Sequence, residues 1–255
     1  MGELRVENLG KSFQRKEGWN TTRTLRVFDN VSFAVREGEF VSLIGPSGCG
    51  KSTLLNLSAG LDQANGGFVY VDGHEVQGPG LDRGVVFQEF ALFPWLTVIG
   101  NIEFGLRSKG VPAAERRVVA KRYVKLVGLS GFENFHPYRL SGGMRQRVGI
   151  ARALAIEPSV LLMDEPFGAL DAQTRESMQK ALGDIWQATR KTVLFVTHDI
   201  REAVYLSDRV LVMSGRPADI TLEMDIDLSR PRNRHDTKFQ DYERRLEQAI
   251  GPPTS

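Results

Sequence analysis

Short apolar runs alternate along this chain with longer segments of helical spacing. Val31, Phe33 and Val35 are separated by Ser32 and Ala34, the period-two pattern of a half-buried strand. Phe40 to Ile44 reads as a buried strand that runs into a glycine-rich turn, and Lys51 to Ala59 as a helix stopped by Gly60. Gly84 to Gln88, Val160 to Met163, Thr192 to Thr197 and Val210 to Met213 are further strand candidates. Between them, Ala113 to Val127, Met144 to Ile156 and Ala172 to Arg190 carry helical spacing. Such alternation predicts an α/β fold with a parallel sheet covered on both faces. Residues from about 89 to 158 depart from it: helix, turn and proline, with no strong strand. They predict a helical insertion in a single domain spanning 1–230. Residues 231–255 read as a charged surface helix and a frayed tail.

Composition narrows this picture little. The 255 residues are 41% hydrophobic and 25% charged, ordinary globular values that allow a sizeable core without a disulfide or metal staple. With 33 Lys and Arg against 31 Asp and Glu, the chain is not built mainly to bind polyanions. Arg230, Arg232, Arg234, Arg244 and Arg245 near the C-terminus suggest either nucleic acid or a solvated helix face. Interspersed acids favour the solvated face and no nucleic-acid partner. Cys49 is the single cysteine, so no intrachain disulfide forms and a reducing compartment suits the chain. No apolar run approaches the ~18 residues of a membrane helix, and the N-terminus lacks a signal-peptide pattern. The expectation is a soluble, cytoplasmic chain that can still dock onto a membrane partner.

The candidate chemistry begins in the turn after Ile44. Gly45, Pro46, Ser47, Gly48, Cys49, Gly50, Lys51, Ser52 and Thr53 fit G-x-x-x-x-G-K-[ST]. Glycines let backbone N–H groups point inward at a β-phosphate, and the following helix adds the positive end of its dipole. Lys51 then reaches the β- and γ-phosphates, and the Ser52 hydroxyl ligates Mg²⁺. Cys49 is either a reactive thiol near a helix start or, more simply, a small loop filler. Val160 to Met163 leads into Asp164 and Glu165. A parallel strand delivers its last side chains to the edge that holds the phosphate loop. Asp164 is therefore a candidate Mg²⁺ ligand, and Glu165 a candidate for polarising an attacking water. His198, after the Thr192 strand, is a candidate for the γ-phosphate, and Gln88 for Mg²⁺ or water. His74, His136 and His235 have no such setting.

A second helix start, Leu140, Ser141, Gly142, Gly143, Met144, offers further free N–H groups. Either it is an ordinary capped helix, or it serves the nucleotide of another copy in a head-to-tail dimer.

Together these residues resemble the ATP-binding subunits of ABC transporters. The elements stand in family order: Walker A at Gly45 to Thr53, Q-loop at Gln88, signature at Leu140 to Met144, Walker B at Val160 to Glu165, D-loop at Ala169 to Asp171, switch histidine at His198. The resemblance implies a P-loop core with a parallel sheet, an N-terminal antiparallel β subdomain and a helical insertion. It implies ATP and Mg²⁺, and two copies closing on two ATP molecules between Walker A and the partner's Ser141, Gly142 and Gly143. Asp171 joins that shared site; Glu165, His198 and Lys51 carry the hydrolysis. Adenine stacks on an aromatic upstream of Walker A. Phe13 fits best, although Arg15 to Thr24 resembles an insertion there and Trp19 or Phe28 competes. Met144 departs from the commoner Gln.

Leu92 to Val98, with His198 to Ala203, is similar to the nitrate, sulfonate and taurine importer group. That implies a subunit on the cytoplasmic face of the membrane. Transmembrane permease subunits would dock near Phe93, Pro94, Trp95 and Leu96, with a solute-binding protein as an indirect partner. An exporter or lipid-extraction ATPase and a soluble ABC ATPase acting on nucleic acid are the alternatives. The Gly45-to-Leu140 spacing leaves no room for a long chromosome-maintenance coiled coil, and the stretch after His198 none for an added regulatory domain.

Overall fold

The computed structural model describes residues 2–16 and 22–251. A six-stranded sheet forms its centre. Its strands are Arg83–Val86 (β6), Val160–Asp164 (β7), Thr192–Val196 (β8), Phe40–Ile44 (β3), Arg209–Gly215 (β9) and Ala218–Asp225 (β10), named here in spatial order. The first five run parallel, and β10 pairs antiparallel with β9. A four-stranded antiparallel sheet lies beside it, ordered Thr22–Val35 (β2), Leu4–Lys16 (β1), Gly66–Val71 (β4) and His74–Glu75 (β5).

The period of two in the central strands divides the core. Leu161 and Met163 of β7, with Val193 and Phe195 of β8, join the apolar cluster on one face. Val160 and Leu162, with Leu194 and Val196, join the cluster on the other. Every residue of β3 and β8 is buried, because a parallel strand flanked by helices meets apolar surface on both sides. Each large side chain so buried contributes about 1.5–3 kcal/mol. The lone polar residue of β3, Ser42, shares a hydrogen bond with the buried Ser207 hydroxyl.

One layer is α1 (Lys51–Ala59), which packs on β7, β8 and β4. Across the sheet lie α2 (Val98–Ser108), α3 (Ala113–Leu126), α4 (Gly142–Ala155) and α5 (Ala172–Thr189); α2 and α4 pack together and α3 touches both. Then α6 (Ile200–Leu206) precedes β9, and α7 (Thr237–Ile250) ends the described chain.

Several expectations shift. The Gly84–Gln88 strand ends at Val86, so Phe87 and Gln88 leave the ladder. Helix α4 starts at Gly142, two residues before the periodicity does, because Ser141 caps it. Within the stretch expected to be an insertion, the described residues 15–16 and 22–24 lengthen the β1–β2 ladder, with Arg15 opposite Arg23 and Lys16 opposite Thr22.

The C-terminal segment is less solvated than its charge predicts. Phe239 and Leu246 are fully buried against the apolar cluster of β9 and α6. Arg232 is buried as well and donates to the carbonyls of Val204, Ser207, Ile226 and Leu228. Burial lowers its pKa to about 10, so it stays charged at neutral pH. Residues 252–255 of the expected tail lie outside the described chain.

Candidate functional site

Sheet topology gathers the predicted residues. The loop after β3, the end of β7, and the residues after β6 and β8 all fall at the carboxyl edge of one parallel sheet. The loop from Gly45 to Gly50 is shaped by what its glycines exclude. A Cβ on Gly45 would stand 2.0 Å from the Met213 carbonyl oxygen. Gly50 has φ 110°, and a Cβ there would meet Val27 at 2.4 Å. Gly50 caps α1 without a side-chain bond, so the N–H groups that follow keep their capacity for an anion. The Lys51 ammonium is buried and donates to the carbonyls of Gly45 (2.8 Å) and Pro46 (3.0 Å), which pins it inside the loop. Cys49 is buried in the apolar core beside it, as a loop filler would be.

Because α1 crosses over β7, Ser52 reaches Asp164. The Ser52 hydroxyl donates to Asp164 Oδ1 at 3.0 Å. Burial raises the Asp164 pKa above its ordinary value; the Ser52 bond opposes that rise, and Glu165 adds to it. Glu165 leaves the strand with φ 40°, held by its N–H on the Val196 carbonyl at 2.9 Å. That turn aims its side chain at His198, whose Nδ1 stands 2.9 Å from Glu165 Oε2. An ionised carboxylate only accepts, so this contact suits the tautomer with the proton on Nδ1, which turns Nε2 away from Glu165. Gln88 joins from the far side. A Cβ on Gly168 would lie 3.2 Å from Gln88 Nε2 and 3.4 Å from the Glu165 carbonyl, so this glycine leaves the glutamine its space.

Ser141, Gly142, Gly143 and Asp171 sit together elsewhere, where α4 meets α5. The Ser141 hydroxyl accepts from the Met144 N–H at 3.3 Å. Asp171 caps α5 and accepts from the Thr174 N–H at 3.0 Å; that bond holds its carboxyl below the usual carboxylate range. A Cβ on Gly143 would stand 2.7 Å from Thr174 Cγ2. This helix start faces α5 and the Leu170 side chain, not α1.

Phe28 is 0% exposed and offers no stacking face, whereas Phe13 is 42% exposed. Phe13 pairs with Leu25, and a bulge at Val27 follows in β2, where Val27 and Phe28 both come against Gly50. Lys11 Nζ lies 4.8 Å from the Phe13 ring centroid. Trp19 lies outside the described residues. Thr197, Gln179 and Glu202, buried behind His198, escaped the sequence reading because each is an ordinary polar residue on a different element.

A phosphate-binding loop before a helix, with an acid pair at the end of β7 two strands away on the same sheet edge, defines a P-loop nucleotide-triphosphate-binding cassette. Comparison with known proteins places it further. The ABC transporter family model matches residues 28–168. An uncharacterized ABC transporter ATP-binding protein of Methanocaldococcus jannaschii is 54% identical over 96% of this chain and 90% of its own length. A nitrate import ATP-binding protein of Synechocystis is 49% identical over 91% of this chain and 86% of its own. A taurine import ATP-binding protein of Rhizobium johnstonii is 51% identical over 89% and 85% respectively. A dimeric ATP-binding cassette solved in a post-hydrolysis state with ADP and phosphate superposes with TM-score 0.75 at 35% identity, covering 89% of this chain and all of that one. The chain belongs to the ABC transporter family, and within it is an ATP-binding, ATP-hydrolysing subunit.

Proposed function

We propose that this chain dimerises on ATP and powers uptake of a small oxyanion, such as nitrate, taurine or another sulfonate, through a membrane permease. The observation that carries the reading is the division of the nucleotide machinery between two places. The phosphate loop, Asp164, Glu165 and His198 share one sheet edge, while the Ser141 helix start lies on the α4–α5 face. Bringing that helix start to a γ-phosphate takes a second copy.

Lys51 neutralises the β- and γ-phosphates, helped by backbone N–H groups of Ser47 to Thr53. Phe13 stacks on adenine. Ser52 and Asp164 offer hard oxygens 3.0 Å apart, with Gln88 nearby. Among the described residues no group of three or more His, Cys, Asp or Glu side chains forms a metal cluster. This sparse oxygen set fits Mg²⁺, which keeps waters and phosphates among its ligands. Bound there, the ion would neutralise charge on the β- and γ-oxygens. Glu165 orients and polarises the attacking water, and His198 holds Glu165 while its Nε2 faces the γ-phosphate. Ser141, Gly142, Gly143 and Asp171 complete the site of the opposite copy. We take residues 1–230 as one ATPase domain with the insertion at 89–158.

Among the described residues no helix is long and apolar enough to cross a membrane. An apolar groove supports docking onto a permease at the cytoplasmic face instead. Leu81, Val85, Phe87, Phe93 and Phe104 line a cavity of about 320 Å³, and Trp95 beside it is 71% exposed. Such a groove suits a short partner helix. The import names of the nitrate and taurine relatives support uptake. In this proposal a solute-binding protein delivers the anion.

The test is Glu165→Gln in the full chain. ATP binding persists, turnover falls by roughly 10²-fold or more, and ATP drives the variant to a stable dimer on gel filtration. ATP binding by a chain that stays monomeric overturns the shared site.

A further inference from the structure

Behind His198 runs a buried polar chain that neither the phosphate loop nor the acid pair requires. Glu202 is 4% exposed and accepts two hydrogen bonds. Thr197 Oγ1 donates to its Oε2 at 2.7 Å, and Gln179 Nε2 donates to its Oε1 at 2.9 Å. Thr197 Oγ1 in turn accepts from the Asp199 N–H at 3.1 Å. Those two bonds fix the turn on both sides of His198. Asp199 Oδ1 then caps α6 by accepting from the N–H groups of Arg201 (2.8 Å) and Glu202 (3.2 Å). At the other end, Gln179 Oε1 accepts from Arg234 Nη2, and the Arg234 guanidinium lies 4.5 Å from the Tyr205 ring centroid. Arg234 belongs to the segment after β10, which Arg232 and Arg230 tie to α6 and the turn after it through Val204, Leu206, Ser207 and Asp208.

A carboxylate buried without a cation in direct contact is costly unless its hydrogen bonds are good. Burial indeed raises the Glu202 pKa. Packing alone would be served as well by an apolar residue. The arrangement instead makes one rigid link from the C-terminal segment, through α5 and α6, to the backbone that presents His198 to Glu165.

We propose that Thr197, Glu202 and Gln179 are positioning residues for His198, and that Arg234 clamps this relay so that docking of the C-terminal segment sets the rate of ATP hydrolysis. The inference rests on the reading of His198 and Glu165 as the hydrolytic pair. Thr197→Val keeps the shape and removes the hydroxyl. In the full chain it lowers kcat about tenfold with KM for ATP nearly unchanged, whereas Thr197→Ser retains most activity. Arg234→Met lowers kcat about threefold, and Arg234→Lys restores it.

The deciding measurement repeats Thr197→Val and Arg234→Met in a His198→Ala background. Residues that act only through His198 add no further loss there. The same fractional loss in both backgrounds overturns the relay, as does an unchanged kcat for Thr197→Val. An unchanged kcat for Arg234→Met overturns the C-terminal clamp. Should His198→Ala itself leave turnover unchanged, the hydrolytic reading fails separately. The geometry is then decided by NMR: Thr197→Val and Arg234→Met must shift the His198 imidazole signals, and unshifted signals overturn it.

Discussion

Two helix starts in this molecule share a composition and differ in everything around them. Gly50 opens α1 with φ 110° and no side-chain cap. Ser141 opens α4 with its own hydroxyl on the Met144 N–H. Around the first stand a buried lysine and, through Ser52, the raised Asp164 carboxyl, with the Glu165–His198 pair at the same sheet edge. Around the second stand Thr174 and Met178, packed close because Gly143 has no Cβ, and Leu170 against Gly142. The two helix starts therefore have unequal uses under the proposed reading: the first has two strand-end acids, Asp164 and Glu165, proposed for metal and water, in its own chain, and the second has only N–H groups to lend. An anion-binding element with no chemistry of its own makes sense when the chemistry arrives on another copy.

The contrast can be broken at either end. Lys51→Ala should do the most, weakening ATP binding about 100-fold or more in the isolated monomer, because it removes the charge-assisted contact to the phosphates. Fluorescent-nucleotide titration measures this, and near-normal binding would refute the cradle. Ser141→Ala should leave monomer ATP affinity within about twofold while weakening ATP-driven dimerisation about tenfold. Analytical ultracentrifugation with and without ATP separates the two; equal losses in both would erase the distinction between the helix starts.

Gly143→Ala tests why the second start lies so close to α5. Its Cβ would press on Thr174 Cγ2 at 2.7 Å, and the expected cost is about 1–3 kcal/mol, less the better helix propensity of alanine. Thermal unfolding should show a lowered Tm that Thr174→Ser, which deletes that methyl, partly restores. The smallest effect concerns pH. The folded pKa of Glu202 is raised by burial, so its ionised form is disfavoured in the folded state. That penalty is absent below the unfolded carboxylate value and grows as pH rises through the folded one. Measured by denaturant unfolding, the stability difference between Glu202→Gln and the natural chain should therefore move in favour of the variant from pH 4.5 to 7.5. A difference constant with pH would contradict the burial effect.

The sequence made the α1 start legible because all its determinants are local: an apolar strand, three glycines, Lys51 and Ser52 in one continuous stretch. Asp164 and Glu165 were legible for the same reason, at the end of a short apolar run. Other features were not. Strand β4 alternates only weakly and owes its place to pairing with β1, whereas β10 alternates strictly from Ala218 to Asp225 and needs only β9 to fix its register. The hairpin arm at residues 15–16 and 22–24 reads as an insertion until its register is known. Phe28 and Phe13 look alike as upstream aromatics, and only burial separates them.

By itself, then, the sequence determined the strand–loop–helix of the phosphate cradle, the acid pair and the capped second helix, since these depend on backbone preferences and neighbours a few residues apart. Tertiary structure decided which of them meet. Ser52 touches Asp164 because α1 crosses β7, and Glu165 touches His198 because β7 and β8 are neighbours. Arg234 reaches Gln179 because the chain after β10 folds back over α6. Contacts between residues far apart in the chain follow from strand order and layer packing, and those are set by how the whole apolar surface is buried at once.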